Sequence, residues 1–131
     1  MSYFDPNYFI KKNKVNRKVN RKIENKLIAW NLGREYYDGE RDNGYGGFKY
    51  DGRWLKLLPR IIKKYKLTNK SKILDLGCKK GFIMKDFKIL LPKCEVWGIE
   101  DHKYPIITAE KEIKKKIIQT EYYNIPFKKK L

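Results

Sequence analysis

The sequence contains little of what metal centres, disulfide frameworks and membrane spans require. Its 131 residues include two cysteines, Cys78 and Cys94, and a single histidine. The cysteines are 16 positions apart and form no Cys-x-x-Cys pair, so they offer too few ligands for a zinc site. The chain also has no apolar run of about 20 residues and no signal-peptide pattern. We therefore expect a soluble, cytoplasmic protein with no bound metal and no membrane span.

Acidic residues are also scarce: the chain has 15 of them and 32 basic residues, which gives a net charge of +17. Such an excess often indicates a polyanionic partner. Here 26 of the basic residues are lysines, and they are dispersed over the chain except at residues 11–26 and 128–130. Dispersion is typical of the amino-acid usage of an AT-rich coding sequence. Nucleic acid, bound mainly through its phosphates, remains the less favoured partner.

The first third of the chain differs from the rest. A repeat at residues 15–22, VNRKVNRK, begins a pattern that predicts a helix ending near Gly33. Its apolar face would carry Val15, Val19, Ile23 and Leu27, with Trp30 beside them. This helix could dock on the domain or act as a basic arm for nucleic acid or a membrane surface. Residues 33–53 hold six glycines and four tyrosines, which predicts a lid over a ligand or a structured connector without long regular elements.

The most informative segment is residues 73–81, ILDLGCKKG. It has the apolar character of a strand, carries an acid at Asp75, and turns through two glycines into a helix-forming stretch at residues 82–91. A dinucleotide fingerprint would need glycines at 79 and 82, and a P-loop would need glycine at 82. The chain has Lys79 and Phe82 there, so both standard phosphate-binding patterns fail.

A second acid follows at the expected distance. Glu95–Glu100 (EVWGIE) is typical of a short strand ending in a carboxylate, and Glu100 lies 19 positions after Gly81. In Rossmann-like sheets, an acid about 20 residues beyond the glycine turn accepts hydrogen bonds from ribose hydroxyls. The helix between them ends before Pro92, so the order is that of a βαβ unit.

The remaining elements complete an α/β pattern. We predict a helix from near Trp54 to Lys66 with Pro59 in or near its first turn, a helix from Pro105 to Lys115, and a third strand over residues 116–120. The predicted fold is α/β: a Rossmann-like partial parallel sheet of about three strands flanked by helices, with an N-terminal helical and Tyr/Gly-rich extension.

The glycine turn resembles motif I of the class I S-adenosylmethionine-dependent methyltransferases, Asp/Glu-x-Gly-x-Gly-x-Gly, with Lys79 in place of the middle glycine. Residues 81–106 and the Tyr/Gly-rich segment are similar to a subfamily found beside sugar and surface-polysaccharide genes. The resemblance implies two regions: a basic helix and Tyr/Gly-rich cap at residues 1–52, and an incomplete Rossmann-like S-adenosylmethionine-binding domain at residues 53–131.

The resemblance also implies the residues that contact the cofactor S-adenosyl-L-methionine: Asp75, Gly77, Cys78, Gly81, Glu100, Asp101 and Glu121. Asp75 would hold its amino-acid end, Glu100 the ribose, and Glu121 would lie near the adenine. A sulfonium methyl is already activated, so the enzyme must mainly orient the acceptor and exclude water. No catalytic residue is assigned, although Tyr45, Tyr50 and His102 are candidate bases.

The family's sheet continues beyond a third strand, whereas this chain stops at Leu131. We therefore expect a truncated or partner-dependent form, in which the N-terminal third, another copy or a second chain completes the sheet. The methyl acceptor would be a small molecule or a sugar-linked molecule. The alternative is a non-catalytic basic interaction or RNA-binding module on a remnant of the fold. An NAD(P)-dependent oxidoreductase is disfavoured by the missing glycines.

Overall fold

The computed structural model describes residues 21–127. The regular elements are α1 (Ile23–Trp30), α2 (Arg34–Tyr37), 3₁₀ turns at Arg41–Asn43 and Arg53–Lys56, α3 (Leu58–Tyr65), β1 (Lys72–Leu76), α4 (Phe82–Leu90), β2 (Glu95–Glu100), α5 (Lys103–Ile107), α6 (Lys111–Lys114) and β3 (Ile117–Gln119). None of the helices in this part of the chain is long and apolar enough to cross a membrane.

The three strands form one parallel sheet in the order β1-β2-β3. Ile73 pairs with Val96, and Ile99 pairs with both Leu76 and Ile118, so the carboxyl ends of all three strands lie along the same edge. Helices connect the strands, as parallel pairing requires. The predicted α/β class and the three parallel strands are therefore confirmed.

Local patterns predicted the strands and α4 closely, whereas the helix predicted from near Trp54 begins at Leu58, after a separate 3₁₀ turn. Pro59 lies in the first turn of α3, where its missing N–H costs no hydrogen bond. Residues 105–115 are different, because they form two short helices instead of the single helix predicted. The interruption begins at Thr108, whose hydroxyl donates to the carbonyls of Tyr104 (2.8 Å) and Pro105 (3.3 Å). A side chain that bonds to the preceding turn favours a helix end.

One face of the sheet carries the core. Val96 of β2 packs with Leu58 and Ile61 of α3 and with Met84 and Phe87 of α4. All five are buried. Burial of this apolar layer supplies the main favourable free energy of folding.

Gly98 lets the core close tightly around β2. A Cβ at this position would lie 2.6 Å from both the Sγ atom of Cys78 and the Sδ atom of Met84. No real Cβ tolerates such a distance, so the absence of a side chain at Gly98 allows the turn after β1 to pack against β2.

The opposite face of β1 is open in the described part of the chain. Side chains alternate along a strand, so Leu74 and Leu76 point away from the core, and they are 38% and 53% exposed. Within residues 21–127, β1 has β2 as its one hydrogen-bonded neighbour. On the same face of the sheet, Phe127 makes an edge contact with Trp97 of β2, at 5.8 Å between ring centroids.

The apolar side of α1 is also exposed. Ile23, Leu27 and Trp30 are 75%, 65% and 85% exposed, whereas Asn25 donates its side-chain amide to Oδ1 of Asn43 at 2.9 Å. This helix therefore contacts the following segment through a polar pair and not through the apolar face that its spacing predicts. The other residues of that predicted face, Val15 and Val19, lie outside the described residues.

Candidate functional site

The turn between β1 and α4 contains three residues with left-handed backbone conformations. The φ angles are 73° at Gly77, 56° at Lys79 and 73° at Gly81. Glycine adopts such angles freely, whereas another residue is strained by about 1 to 2 kcal/mol. A Cβ on Gly81 would also lie 2.3 Å from Cγ2 of Ile113. Lys79 stands at the middle position of the motif I pattern, and its conformation explains why glycine suits that position.

The turn is attached to the end of β2 by backbone hydrogen bonds. The amides of Gly77 and Cys78 both donate to the carbonyl of Ile99, at 2.8 and 3.1 Å. The amide of Lys79 donates to Oε2 of Glu100 at 2.9 Å. These three amides therefore hold the turn against β2.

Glu100 is fully buried at the carboxyl end of β2. Besides the Lys79 amide, its carboxylate accepts the backbone amide of His102 at 3.2 Å and lies 3.3 Å from the ring nitrogen Nδ1. The same Nδ1 pairs with Asp101, and Asp101 accepts the hydroxyl of Tyr122 at 3.2 Å. A carboxylate offers about four lone-pair positions, so Oε2 keeps acceptor capacity for another donor.

Asp75 is the second acid of the site, and it lacks a partner. The residue as a whole is half-buried, but its Oδ2 atom is sealed from solvent and has no hydrogen-bond partner within residues 21–127. Burial and the nearby charge of Glu100 raise the pKa of Asp75 to about 7. A buried carboxylate oxygen without a donor is costly, and it is suited to a cationic or hydrogen-bonding ligand.

The Tyr/Gly-rich segment lies against the glycine turn through an ion pair whose lysine is buried. The ammonium group of Lys80 donates hydrogen bonds to both carboxylate oxygens of Asp38, at 2.9 and 2.8 Å. Lys80 is only 7% exposed. Asp38 also accepts the hydroxyl of Tyr104 at 2.7 Å and the amide of Phe48 at 3.0 Å. These bonds join the cap (residues 33–52), the turn and α5 at one point.

Tyr37, the neighbour of Asp38, is completely buried. Its ring stacks on those of Tyr45 and Tyr104, at centroid distances of 5.7 and 6.0 Å. Its hydroxyl has no hydrogen-bond partner in the described part of the chain. Burial, followed by the charge of Glu100, raises its pKa far above the ordinary value, so the group stays a protonated phenol.

A second contact fixes the other end of the cap. The hydroxyl of Tyr50 donates to Oδ1 of the fully buried Asp86 at 2.5 Å, and the amide of Trp54 donates to Oδ2 at 3.1 Å. The hydrogen bond to Asp86 is the main reason that the pKa of Tyr50 rises to about 12. Tyr50, one of the candidate bases, therefore holds the cap on α4 and is poorly suited to accept a proton there.

No known protein family, curated protein or solved structure matches this chain. Its function must therefore be argued from the site itself. Four of the seven predicted cofactor residues, Asp75, Gly77, Glu100 and Asp101, converge at the carboxyl ends of β1 and β2. Gly81 closes the turn as the residue that caps α4.

The other two predicted residues have different surroundings. The Cys78 side chain packs into the core beside Gly98, and burial raises its pKa strongly, so only its backbone faces the site. Glu121 is exposed after β3. Its neighbour Tyr122 lies nearer the turn, with its hydroxyl oxygen 3.6 Å from the position that a Cβ on Gly77 would take.

Sequence reasoning missed Tyr37, Asp38, Lys80 and Tyr104 as members of the site. The one available signal was the Tyr/Gly-rich composition of residues 33–53, which suggested a lid but did not identify which tyrosine would be buried. Pairing Asp38 with Lys80 requires two residues 42 positions apart to meet, and no local pattern encodes that contact.

Proposed function

We propose that this chain is a class I S-adenosylmethionine-dependent methyltransferase that binds its cofactor at the turn between β1 and α4. The observation that carries the proposal is a pair of acids at the ends of adjacent parallel strands beside a glycine turn: Glu100, which is buried, and Asp75, whose Oδ2 atom is sealed from solvent. In Rossmann-like sheets, nucleosides bind beyond the carboxyl ends of the strands at such a turn.

The donors and acceptors present fit this cofactor. The sealed Oδ2 of Asp75 is suited to the ammonium group of the amino-acid part. Glu100 keeps acceptor capacity for ribose hydroxyls, and Gly77 presents bare backbone to a ligand that takes the place of the Tyr122 ring beside it. Asp101 lies beside the nucleoside end, and Tyr122 is better placed than Glu121 to border the adenine.

Bound S-adenosylmethionine supplies a methyl group activated by its sulfonium charge. The residues of this chain would orient the nucleoside, hold the amino-acid end and limit the access of water. The cap contributes to that exclusion, because Asp38–Lys80 and Tyr50–Asp86 hold it over the turn. The acceptor would be a small or sugar-linked molecule that enters beside the cap.

The proposal includes a Rossmann-like sheet that a second chain or another copy completes. Support comes from β1, which has a single strand neighbour within residues 21–127 and whose exposed Leu74 and Leu76 offer apolar surface for another strand. The proposed location is the cytoplasm.

Binding of S-adenosylhomocysteine, the stable demethylated product, tests the proposal directly. We expect micromolar affinity by calorimetry for the purified chain and a loss of at least about tenfold in Glu100→Gln, because a charge-assisted acceptor is replaced by a neutral one. Glu95→Gln is the matched control, since Glu95 belongs to the same strand but is exposed at its other end. Gly81→Arg should abolish binding, provided that its thermal unfolding shows that it is folded.

The alternative predicts another outcome. A folded, monodisperse chain that does not bind S-adenosylhomocysteine but binds RNA, with affinity that falls steeply as salt rises, would be an RNA-binding module on this fold.

A further inference from the structure

The hydroxyl of Tyr37 is a buried donor that the fold leaves unused. The residue has no exposed surface, and no donor or acceptor in residues 21–127 reaches its hydroxyl oxygen. Leaving a buried polar group unpaired costs about 1 to 3 kcal/mol. Phenylalanine would fill the same ring-stacking position without that cost, so the hydroxyl calls for an explanation that the apo fold does not supply.

Neighbouring contacts determine where this hydroxyl lies. The ring is stacked on Tyr104, which follows β2 in α5, and the next residue, Asp38, is tied to both Tyr104 and Lys80 of the turn. Tyr37 therefore belongs to the part of the cap that covers the end of β2. Glu100 is the last residue of β2, so its carboxylate stands at that same strand end.

The group can act only as a donor or acceptor of a hydrogen bond and not as a base. Its pKa is raised by burial first and by Glu100 second, so it keeps its proton at neutral pH. A hydroxyl group can accept one hydrogen bond and donate another, so a ribose lying between the cap and Glu100 could accept from Tyr37 and donate to Glu100 at once.

We propose that Tyr37 is a ligand-positioning residue whose hydroxyl donates to a ribose oxygen of a nucleoside bound beside Glu100. The cap thus provides one wall of the nucleoside site, held in place by the Asp38–Lys80 pair. This inference rests on the proposed cofactor site and adds a residue outside the strand–turn–helix unit.

Tyr37→Phe tests the inference with two measurements that should move in opposite directions. Without ligand, the variant should unfold at a higher urea concentration than the wild type, because an unpaired hydroxyl is removed from the interior while the ring stays. With ligand, its affinity for S-adenosylhomocysteine should fall by about tenfold, the loss of one hydrogen bond in a buried site. A residue with a structural role alone would not change stability and affinity in opposite senses.

The matched control is Tyr36→Phe, since Tyr36 precedes Tyr37 in α2 and is half-buried with its ring 5.0 Å away. Its affinity should stay within about twofold of the wild type. A second ligand, 5′-methylthioadenosine, keeps the ribose but lacks the amino-acid part. The Tyr37→Phe penalty should be the same for both ligands.

Three results would overturn the inference, and they are distinguishable. Unchanged affinity in Tyr37→Phe, with normal wild-type binding, would remove the role of Tyr37 and leave the cofactor site intact. A penalty seen with S-adenosylhomocysteine but not with 5′-methylthioadenosine would place the contact at the amino-acid end, against the ribose assignment. A folded wild-type protein that binds neither ligand would reject the proposed function and this inference together.

Discussion

Asp75 should make the apo protein less stable as the pH rises from mildly acidic to mildly alkaline. Its pKa is raised from 3.8 to about 7 in the folded state, chiefly by burial and then by Glu100. An acid whose pKa is raised by folding stabilises the native state while it is protonated, and this contribution is lost as the pH rises through the folded-state pKa. Most proteins with paired carboxylates show the opposite trend in the acidic range.

The size of the effect follows from the two pKa values. One pKa unit corresponds to about 1.36 kcal/mol. Between about pH 5 and about pH 7, a range of roughly two units, Asp75 is protonated in the native state and ionised in the unfolded state. We therefore expect the free energy of unfolding to fall by about 2 to 3 kcal/mol between about pH 5 and about pH 8. This is a large share of the stability of a small domain.

Urea unfolding of the wild type and Asp75→Asn at both pH values isolates the contribution, because all other titrating groups are common to the two proteins. Asp75→Asn should be more stable than the wild type at both pH values, and its advantage should grow by about 2 to 3 kcal/mol between about pH 5 and about pH 8. Asp42→Asn, at an exposed position in the cap, serves as the control and should follow the wild type at both pH values. Parallel pH profiles for wild type and Asp75→Asn would refute the reasoning, because they would show that Asp75 is ionised and solvated in the folded protein.

Two further substitutions test the backbone of the turn and the attachment of the cap. Lys79→Gly should raise the free energy of unfolding by about 1 kcal/mol relative to Lys79→Ala, since glycine relieves the left-handed strain at φ 56° and alanine keeps it. Equal urea midpoints for the two variants would contradict this expectation. Lys80→Met should cost about 2 kcal/mol, less than for a fully enclosed pair because the Asp38 side chain is 26% exposed. The exposed pair of Lys115 and Glu112 provides the control, since Lys115→Met should cost at most about 0.5 kcal/mol. A similarly small loss for Lys80→Met would show that the pair of Asp38 and Lys80 does not hold the cap.

The sequence predicted the strand–turn–helix unit well because its signals are local. Apolar runs of strand length, two glycines at a turn and a proline after a helix each act on backbone conformation within a few residues. Strands at residues 72–76 and 95–100, the helix at residues 82–90 and the third strand at residues 117–119 all lie where these patterns indicate. The same argument failed for residues 103–114, where hydrogen bonds from the Thr108 hydroxyl to the preceding turn accompany a break in the helix.

Contacts of the cap could not be predicted in the same way. Helical spacing grouped Ile23, Leu27 and Trp30 on one face, yet spacing alone does not decide what that face packs against, and all three are exposed. Composition suggested a lid in residues 33–53, but four tyrosines of similar local context have different surroundings. Tyr37 is enclosed by other rings, whereas Tyr50 reaches Asp86 of α4.

The sequence by itself therefore determined the α/β class, the order of the elements and the positions of Asp75 and Glu100 at two strand ends, since all of these depend on short-range patterns. Tertiary structure alone decided which polar groups are paired. Lys80 is buried against Asp38, and one atom each of Asp75 and Tyr37 has no hydrogen-bond partner among residues 21–127, because segments tens of residues apart exclude water from the same small volume. Whether a buried polar group finds a hydrogen-bond partner depends on all the segments that meet around it, so it cannot be predicted from any one stretch of sequence.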